Sequence, residues 1–204
     1  MKYVKILGLA AVAAMALMAF GAGTASATKL CNSNLSTTAC GFHLATGLMV
    51  EGTLTGSAIL ETTGGSTLDT CTGSTVSGKT TTTAATGSSV IGDVETLTWT
   101  GCTFPTGTVA KGSLEIKHIA GTDNGTLTGK GQEVTINTGF FGACTYGTGA
   151  GTDLGTVVGG APAKLTINAL VPLVKNESGL CPAEARWTAS YTVTKPNPVY
   201  IAHN

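Results

Sequence analysis

Trp187-Thr188-Ala189-Ser190-Tyr191-Thr192-Val193-Thr194 is the stretch whose reading decides the fold. Its apolar residues fall at every second position, and hydroxyl-bearing residues fill the positions between. Successive side chains of a strand point to opposite faces, so this period of two describes a strand with one buried and one solvated face. A helix would need apolar residues three and four apart. The alternation recurs outward along the chain. Leu97 and Trp99 interleave with Thr96, Thr98 and Thr100; Leu114, Ile116 and His118 with Glu115 and Lys117; Val134 and Ile136 with Glu133, Thr135 and Asn137; Leu165 and Ile167 with Lys164, Thr166 and Asn168. Both tryptophans are thereby directed toward a core.

The threonines beyond residue 27, about 36 of them, favour extended backbone because the branch at Cβ stiffens χ1 and crowds a helix. Gly64-Gly65, Asp123-Asn124-Gly125, Gly159-Gly160 and Pro196-Asn197-Pro198 supply the free or fixed φ angles that chain reversals need. Strands are predicted near 48–55, 57–62, 66–71, 74–80, 89–100, 111–119, 125–128, 132–138, 154–158, 163–170 and 184–194, with an edge strand at 198–201. One aliphatic face and one Thr-rich or charged face per strand suit antiparallel sheets packed together, not a parallel sheet under helices. The predicted fold is all-β and disulfide-stapled: an antiparallel β-sandwich, with a small closed β-barrel as the alternative. Its expected core is Trp99, Leu114, Ile116, Val134, Ile136, Leu165, Ile167, Trp187, Tyr191 and Val193.

Residues 1–27 read as a secretory signal peptide: Lys2 and Lys5 give a positive start, Ile6 to Phe20 an apolar run, and Ala25-Ser26-Ala27 a small-residue cleavage site. A single secreted domain, 28–204, then begins at Thr28. Lys2 and Lys5 leave with the signal, so the 11 basic residues fall to 9 against 11 acidic ones, a net charge near −2. Scattered cations on a slightly acidic chain cannot neutralise a run of phosphates, which argues against a nucleic-acid partner. No later stretch approaches the roughly 18 apolar residues of a membrane anchor. A cell-wall or extracellular ligand stays open as the partner class.

Export to an oxidising space lets Cys31, Cys40, Cys71, Cys102, Cys144 and Cys181 form a disulfide framework. Sequence alone does not choose among the pairings. Local closure is the simplest: Cys31 with Cys40, Cys71 with Cys102, Cys144 with Cys181. A metal site fits poorly, because no two cysteines have the two-to-four-residue spacing of a zinc knuckle. The segments Cys71–Cys102 and Cys144–Cys181 share a Gly/Thr-rich character, which either an internal duplication or common composition explains.

Catalytic signatures are missing from the motifs. There is no Gly-x-Ser-x-Gly elbow or His-Glu-x-x-His pair. His118 ends the apolar face of Leu114 and Ile116 and reads as packing; His43 adjoins Cys40 and reads as structural; His203 reads as a frayed end. Asp93 with Glu95, and Glu61 with Asp69, are the carboxylate pairs that a glycosidase reading would use, and solvated strand faces explain them equally. Asp123, Asn124 and Asp153 sit in loops that offer too few acids for a calcium site, and the Asn-x-Ser/Thr triplets at Asn34, Asn124 and Asn176 arise readily in a Thr-rich chain. No cofactor is expected.

Leu68-Asp69-Thr70-Cys71-Thr72-Gly73, Leu97-Thr98-Trp99-Thr100-Gly101-Cys102-Thr103 and Cys181-Pro182-Ala183-Glu184-Ala185-Arg186-Trp187-Thr188-Ala189-Ser190-Tyr191 resemble small secreted, Thr/Gly-rich, cysteine-containing β-proteins of actinobacteria that have no known function. The likeness spans most of the chain beyond residue 27. It implies an exported bacterial protein and carries no activity with it. The expected function is a non-catalytic extracellular or cell-wall-associated structural or binding domain. The alternatives are a carboxylate-dependent hydrolase of cell-wall or polysaccharide substrates and a carrier of apolar small molecules, the latter needing a cavity of about 300 Å³.

Overall fold

The structure, a computed structural model, describes residues 27–33, 44–82, 89–139, 142–177 and 179–203. The described residues form β1 (Thr28–Cys31), β2 (Met49–Leu54), β3 (Ala58–Thr62), β4 (Thr67–Thr80), β5 (Val90–Cys102), β6 (Thr106–Ala110), β7 (Ser113–His118), β8 (Asn124–Lys130), β9 (Glu133–Thr138), β10 (Gly142–Gly147), β11 (Thr152–Val158), β12 (Lys164–Asn176), β13 (Glu184–Lys195) and β14 (Tyr200–His203), with no helix among them. All pairings are antiparallel. The all-β, antiparallel, disulfide-stapled architecture expected from the alternation is present.

The main sheet curls until its ends meet. β4, β5, β7, β8, β11, β12 and β13 hydrogen-bond in that order, and β2 and β3 share the remaining place between β13 and β4. The two packed faces are therefore joined at both margins, which removes the exposed edges that an open sandwich would carry. A branch leaves this ring at β12. Residues 164–167 of β12 pair with β11, whereas Leu173, Lys175 and Asn176 pair with β10, which continues through β9 to β6. Pro172 falls in the gap between these two ladders, a stretch of that edge needing no N–H donor, which is why β12 runs past the residue 170 at which it was expected to stop.

Three long strands, β4, β12 and β13, consequently pass two apolar clusters in succession. One gathers Leu127, Leu154, Ile167, Tyr191, Val193 and Ile201; the other gathers Leu68, Ile136, Cys144, Tyr146, Val171 and Ala185; Trp187 packs against both. Of the expected core, Ile136, Ile167, Tyr191 and Val193 are buried. Trp99, Leu114, Ile116, Val134, Leu165 and Trp187 are half-buried instead, because parts of their surfaces face internal voids.

Local departures from strict alternation have identifiable causes. The 66–71 and 74–80 segments are one strand, since Thr72-Gly73 does not turn: a side chain at Gly73 would collide with the Thr100 hydroxyl across the ladder, so the glycine serves close approach. A bulge in β4 opposes Leu60 and Glu61 to Asp69 and Thr67, leaving Leu68 as the extra residue and turning both Leu68 and Asp69 inward. A second bulge makes Leu154 the extra residue of β11; the following Gly155, at φ 146°, lies against the Thr166 carbonyl, where a Cβ would collide. Three strands, β1, β6 and β10, lie outside the expected set, and β14 answers to the expected edge strand at 198–201. β1 and β14 form their own two-stranded sheet, with Thr28 opposite His203, so His203 is a paired strand residue and not a frayed end.

Cys71 and Cys102 are cross-strand partners joined by a disulfide, and Cys144 is joined to Cys181, as local closure expected. Cys31 is disulfide-bonded as well. Cys40, its expected partner, lies outside the described residues, as do His43 and Asn34. The disulfides are consistent with an extracellular or otherwise oxidising location.

Candidate functional site

The interior holds an apolar cavity of about 100 Å³ where the two clusters meet. Trp99, Leu97 and Val94 of β5, Val134 and Ile136 of β9, Leu165 and Ile167 of β12, and Trp187 and Tyr191 of β13 contribute to its wall. The tryptophan rings meet edge to face, with centroids 6.0 Å apart and planes at 67°. They are not the flat, exposed pair that a sugar-stacking platform would present. A second cavity of about 100 Å³ adjoins the first across Val76, Leu114 and Leu127. Each is well below the 300 Å³ or so of a drug-sized site.

The wall has a seam. β5 pairs with β7 only from Val90 to Asp93, and beyond that point no ladder joins β5 to β6. Thr108 of β6 spans the seam with its side chain: its Oγ1 donates to the Leu97 carbonyl at 2.7 Å and accepts from Trp99 Nε1 at 3.2 Å. A single hydroxyl thus stands where a ladder of backbone bonds would otherwise run.

Polar side chains on the wall are almost all engaged. Asp69 is 3% exposed, and its carboxylate accepts from Thr70 N at 2.8 Å, Phe104 N at 3.1 Å and Thr106 Oγ1 at 2.5 Å, which binds the corner between β5 and β6 to β4. Gln132 Nε2 donates to the Ser113 carbonyl at 2.6 Å, and its Oε1 accepts from Thr148 Oγ1 at 2.6 Å. The Tyr146 hydroxyl donates to the Pro182 carbonyl at 3.2 Å and Tyr191 bonds Ser74 Oγ at 3.0 Å; burial pushes the pKa of each phenol up to about 12, slightly opposed for Tyr191 by the Ser74 bond. Trp187 Nε1 is different. Among the described residues it is the buried side-chain nitrogen or oxygen with no hydrogen-bond partner.

The residues singled out from sequence do not converge here. His118 Nε2 lies 2.6 Å from the Thr122 carbonyl, and its ring tilts against His203 with centroids 5.2 Å apart, away from the cavity wall. Glu95 pairs with Lys79 at 2.9 Å on the surface while Asp93 is exposed. Glu61 sits opposite Thr67 in the ladder, whereas Asp69 is turned into the protein. Asn124 and Asn176 accept backbone N–H bonds from Gly159 and Gly179, and Asp153 accepts from Thr128, as turn and cross-strand residues do. Outside the wall, Lys130 and Ser89 hold the Glu115 carboxyl below its ordinary pKa by hydrogen bonding. Asp69, Cys71 and Cys102 bring one oxygen and two sulfurs within 4.8 Å, but the sulfurs are joined as a disulfide and offer no thiolate to a metal.

No family model, curated protein or solved structure matches the chain. The site therefore has to be read from its own chemistry. Of the carboxylates weighed from the sequence only Asp69 reaches the wall, without its expected partner Glu61, and the unpartnered indole of Trp187 had no sequence signal. The consecutive Leu68-Asp69 inside a strand was the one available signal for the bulge that buries the acid.

Proposed function

We propose that the chain is an exported, non-catalytic domain of the cell envelope or extracellular space that works by binding or by structure. The observation that carries this is the state of the groups lining the interior: the acid, amide, phenols and hydroxyls named there are tied to neighbours in the same chain. Asp69, the buried acid, is committed to three donors that fasten the β5–β6 corner. General acid–base chemistry needs a group facing a reacting atom, with a free position for the proton. The signal-like residues 1–27, the disulfides and the likeness to secreted actinobacterial β-proteins support export and bacterial origin.

The test is activity and maturation of the secreted protein. N-terminal sequencing should give Thr28. A broad panel of glycosidase, peptidase and esterase substrates should show no turnover above that of an Asp69→Asn variant. Turnover lost on substitution of one Asp or Glu, in a protein that stays folded, would replace this reading with the hydrolase one.

A further inference from the structure

Of the wall groups named above, seven have internal partners: Asp69, Trp99, Thr106, Gln132, Tyr146, Thr148 and Tyr191. The eighth, Trp187, lines the same cavity and keeps an indole N–H in the interior without an acceptor. Interiors rarely leave a donor unsatisfied, because its lost hydration is not returned. Among the described residues no side chain or carbonyl accepts this proton, so the cavity is the space from which an acceptor would arrive. The rest of the wall is aliphatic or aromatic.

We propose that the cavity is a binding site for a small apolar molecule, about the size of one six-membered ring, that carries a single hydrogen-bond acceptor such as a carbonyl oxygen. This rests on the binding reading above and names its ligand class. Size follows from volume: an apolar protein cavity of about 150 Å³ accepts benzene, so a ring needs the roughly 100 Å³ here together with part of the adjoining void of about 100 Å³ that shares Leu114 and Leu127, and a lipid or drug-sized molecule is excluded. Acceptor chemistry follows from Trp187. Entry follows from the seam beside β5, where Thr108 alone bridges Leu97 and Trp99 and can swing aside without breaking a ladder. An acid or amine is disfavoured, because the wall provides no free counter-charge; Asp69 already holds three donors.

The probes are cyclohexanone and methylcyclohexane, similar in size and different in the acceptor. Binding to the purified, disulfide-intact protein is read from methyl NMR shifts and from the emission of Trp99 and Trp187, the chain's two tryptophans. Saturable shifts should centre on Leu127, Ile136, Leu165 and Ile167, with cyclohexanone bound about 10-fold more tightly, the factor of one neutral hydrogen bond. Trp187→Phe keeps an aromatic wall and should bring the two probes within about 2-fold of each other. Ala58→Leu and Ile167→Phe each fill space at the wall, and either one, still folded by circular dichroism, should abolish saturable binding. Shifts that do not saturate, that scatter over the surface or that persist in the filled variants would overturn the proposal. A preference for cyclohexanone unchanged in Trp187→Phe would show that another donor holds the ketone oxygen and would overturn the assignment of the acceptor to the Trp187 indole. Enzymatic turnover in the same sample would sink the non-catalytic reading without touching these binding results.

Discussion

Asp69→Ala tests the account of how the β5–β6 corner is held, and the structure sets the size of the effect. The carboxylate accepts from Thr70 N, Phe104 N and Thr106 Oγ1. Thr106 has a second acceptor, the Phe104 carbonyl at 3.1 Å, so its hydroxyl keeps a partner when Asp69 is gone. Both amides lose this side-chain acceptor when Asp69 is gone. Hydrogen bonds to a charged group are worth roughly 1.5–3 kcal/mol each. Because Thr70 and Phe104 are half-buried and water reaches them in part, the lower half of that range applies. Two such bonds give an expected loss of about 3–4.5 kcal/mol, a large share of the 5–15 kcal/mol typical of a domain. Urea denaturation of the oxidised protein, followed by tryptophan emission, gives the number directly. Asp69→Asn retains an acceptor and should cost about 1–2 kcal/mol, and a double-mutant cycle with Thr106→Val should show coupling of at least about 0.5 kcal/mol. A loss under 0.5 kcal/mol or so for Asp69→Ala would refute the reasoning, since the acid would then be buried without fastening anything.

Further outcomes are expected. Replacing both Cys144 and Cys181 by Ala opens a 37-residue separation and should cost about 3–4 kcal/mol on the chain-entropy account, measured by urea midpoint; non-reducing peptide maps should show the pair in the parent. Tyr191 ionises at about 12 in the fold and near 10 in an unfolded chain, so the unfolded chain releases this proton first. Stability is then fully retained below about pH 10 and lost as pH rises through about 12, by up to ~2–3 kcal/mol from this residue, and Tyr191→Phe should flatten that part of the pH–stability curve. Trp187→Ala should cost about 3–5 kcal/mol by enlarging a void that both clusters share. His118→Gln should shift the denaturation midpoint by less than an equivalent of about 1 kcal/mol, because the ring is half-exposed and bonds one backbone carbonyl.

Period-two patterning carried the fold a long way. It placed Trp187, Tyr191 and Val193 on one face of β13 and Ile167 on the facing side of β12, where they are found. It failed where a residue is inserted or where neither face is polar. Leu68-Asp69 breaks the alternation, and only the ladder reveals that Leu68 is extra and that the acid turns inward. β10 reads Gly142-Ala143-Cys144-Thr145-Tyr146-Gly147 and is buried on both sides over its second half, so no contrast marks it as a strand. β6 opens just after Pro105 and carries Gly107, a loop-like composition that becomes a strand by pairing with β9. The cavity had no local signature. Trp99 and Trp187 are distant in sequence, and the satisfaction of every polar neighbour except the Trp187 indole depends on partners such as Thr108, Ser74 and Pro182 that alternation does not bring together.

The β1–β14 pair has a topological consequence. Thr28 and His203 are direct cross-strand partners, so their α-carbons stand about 5 Å apart, a gap that two or three glycines would span. In a chain trimmed to residues 28–203, joining them would turn the backbone into a closed loop and free the choice of where the polypeptide starts. A new opening at the exposed Gly64-Gly65 turn, between β3 and β4, would cut no ladder and no bridge between Cys71 and Cys102 or between Cys144 and Cys181. In that permuted molecule β4 would be made first and β3 last, reversing the order in which the ring receives its final member. Comparing its refolding rate with that of the parent would reveal whether this architecture depends on the order of its strands along the chain or only on the contacts it finally makes.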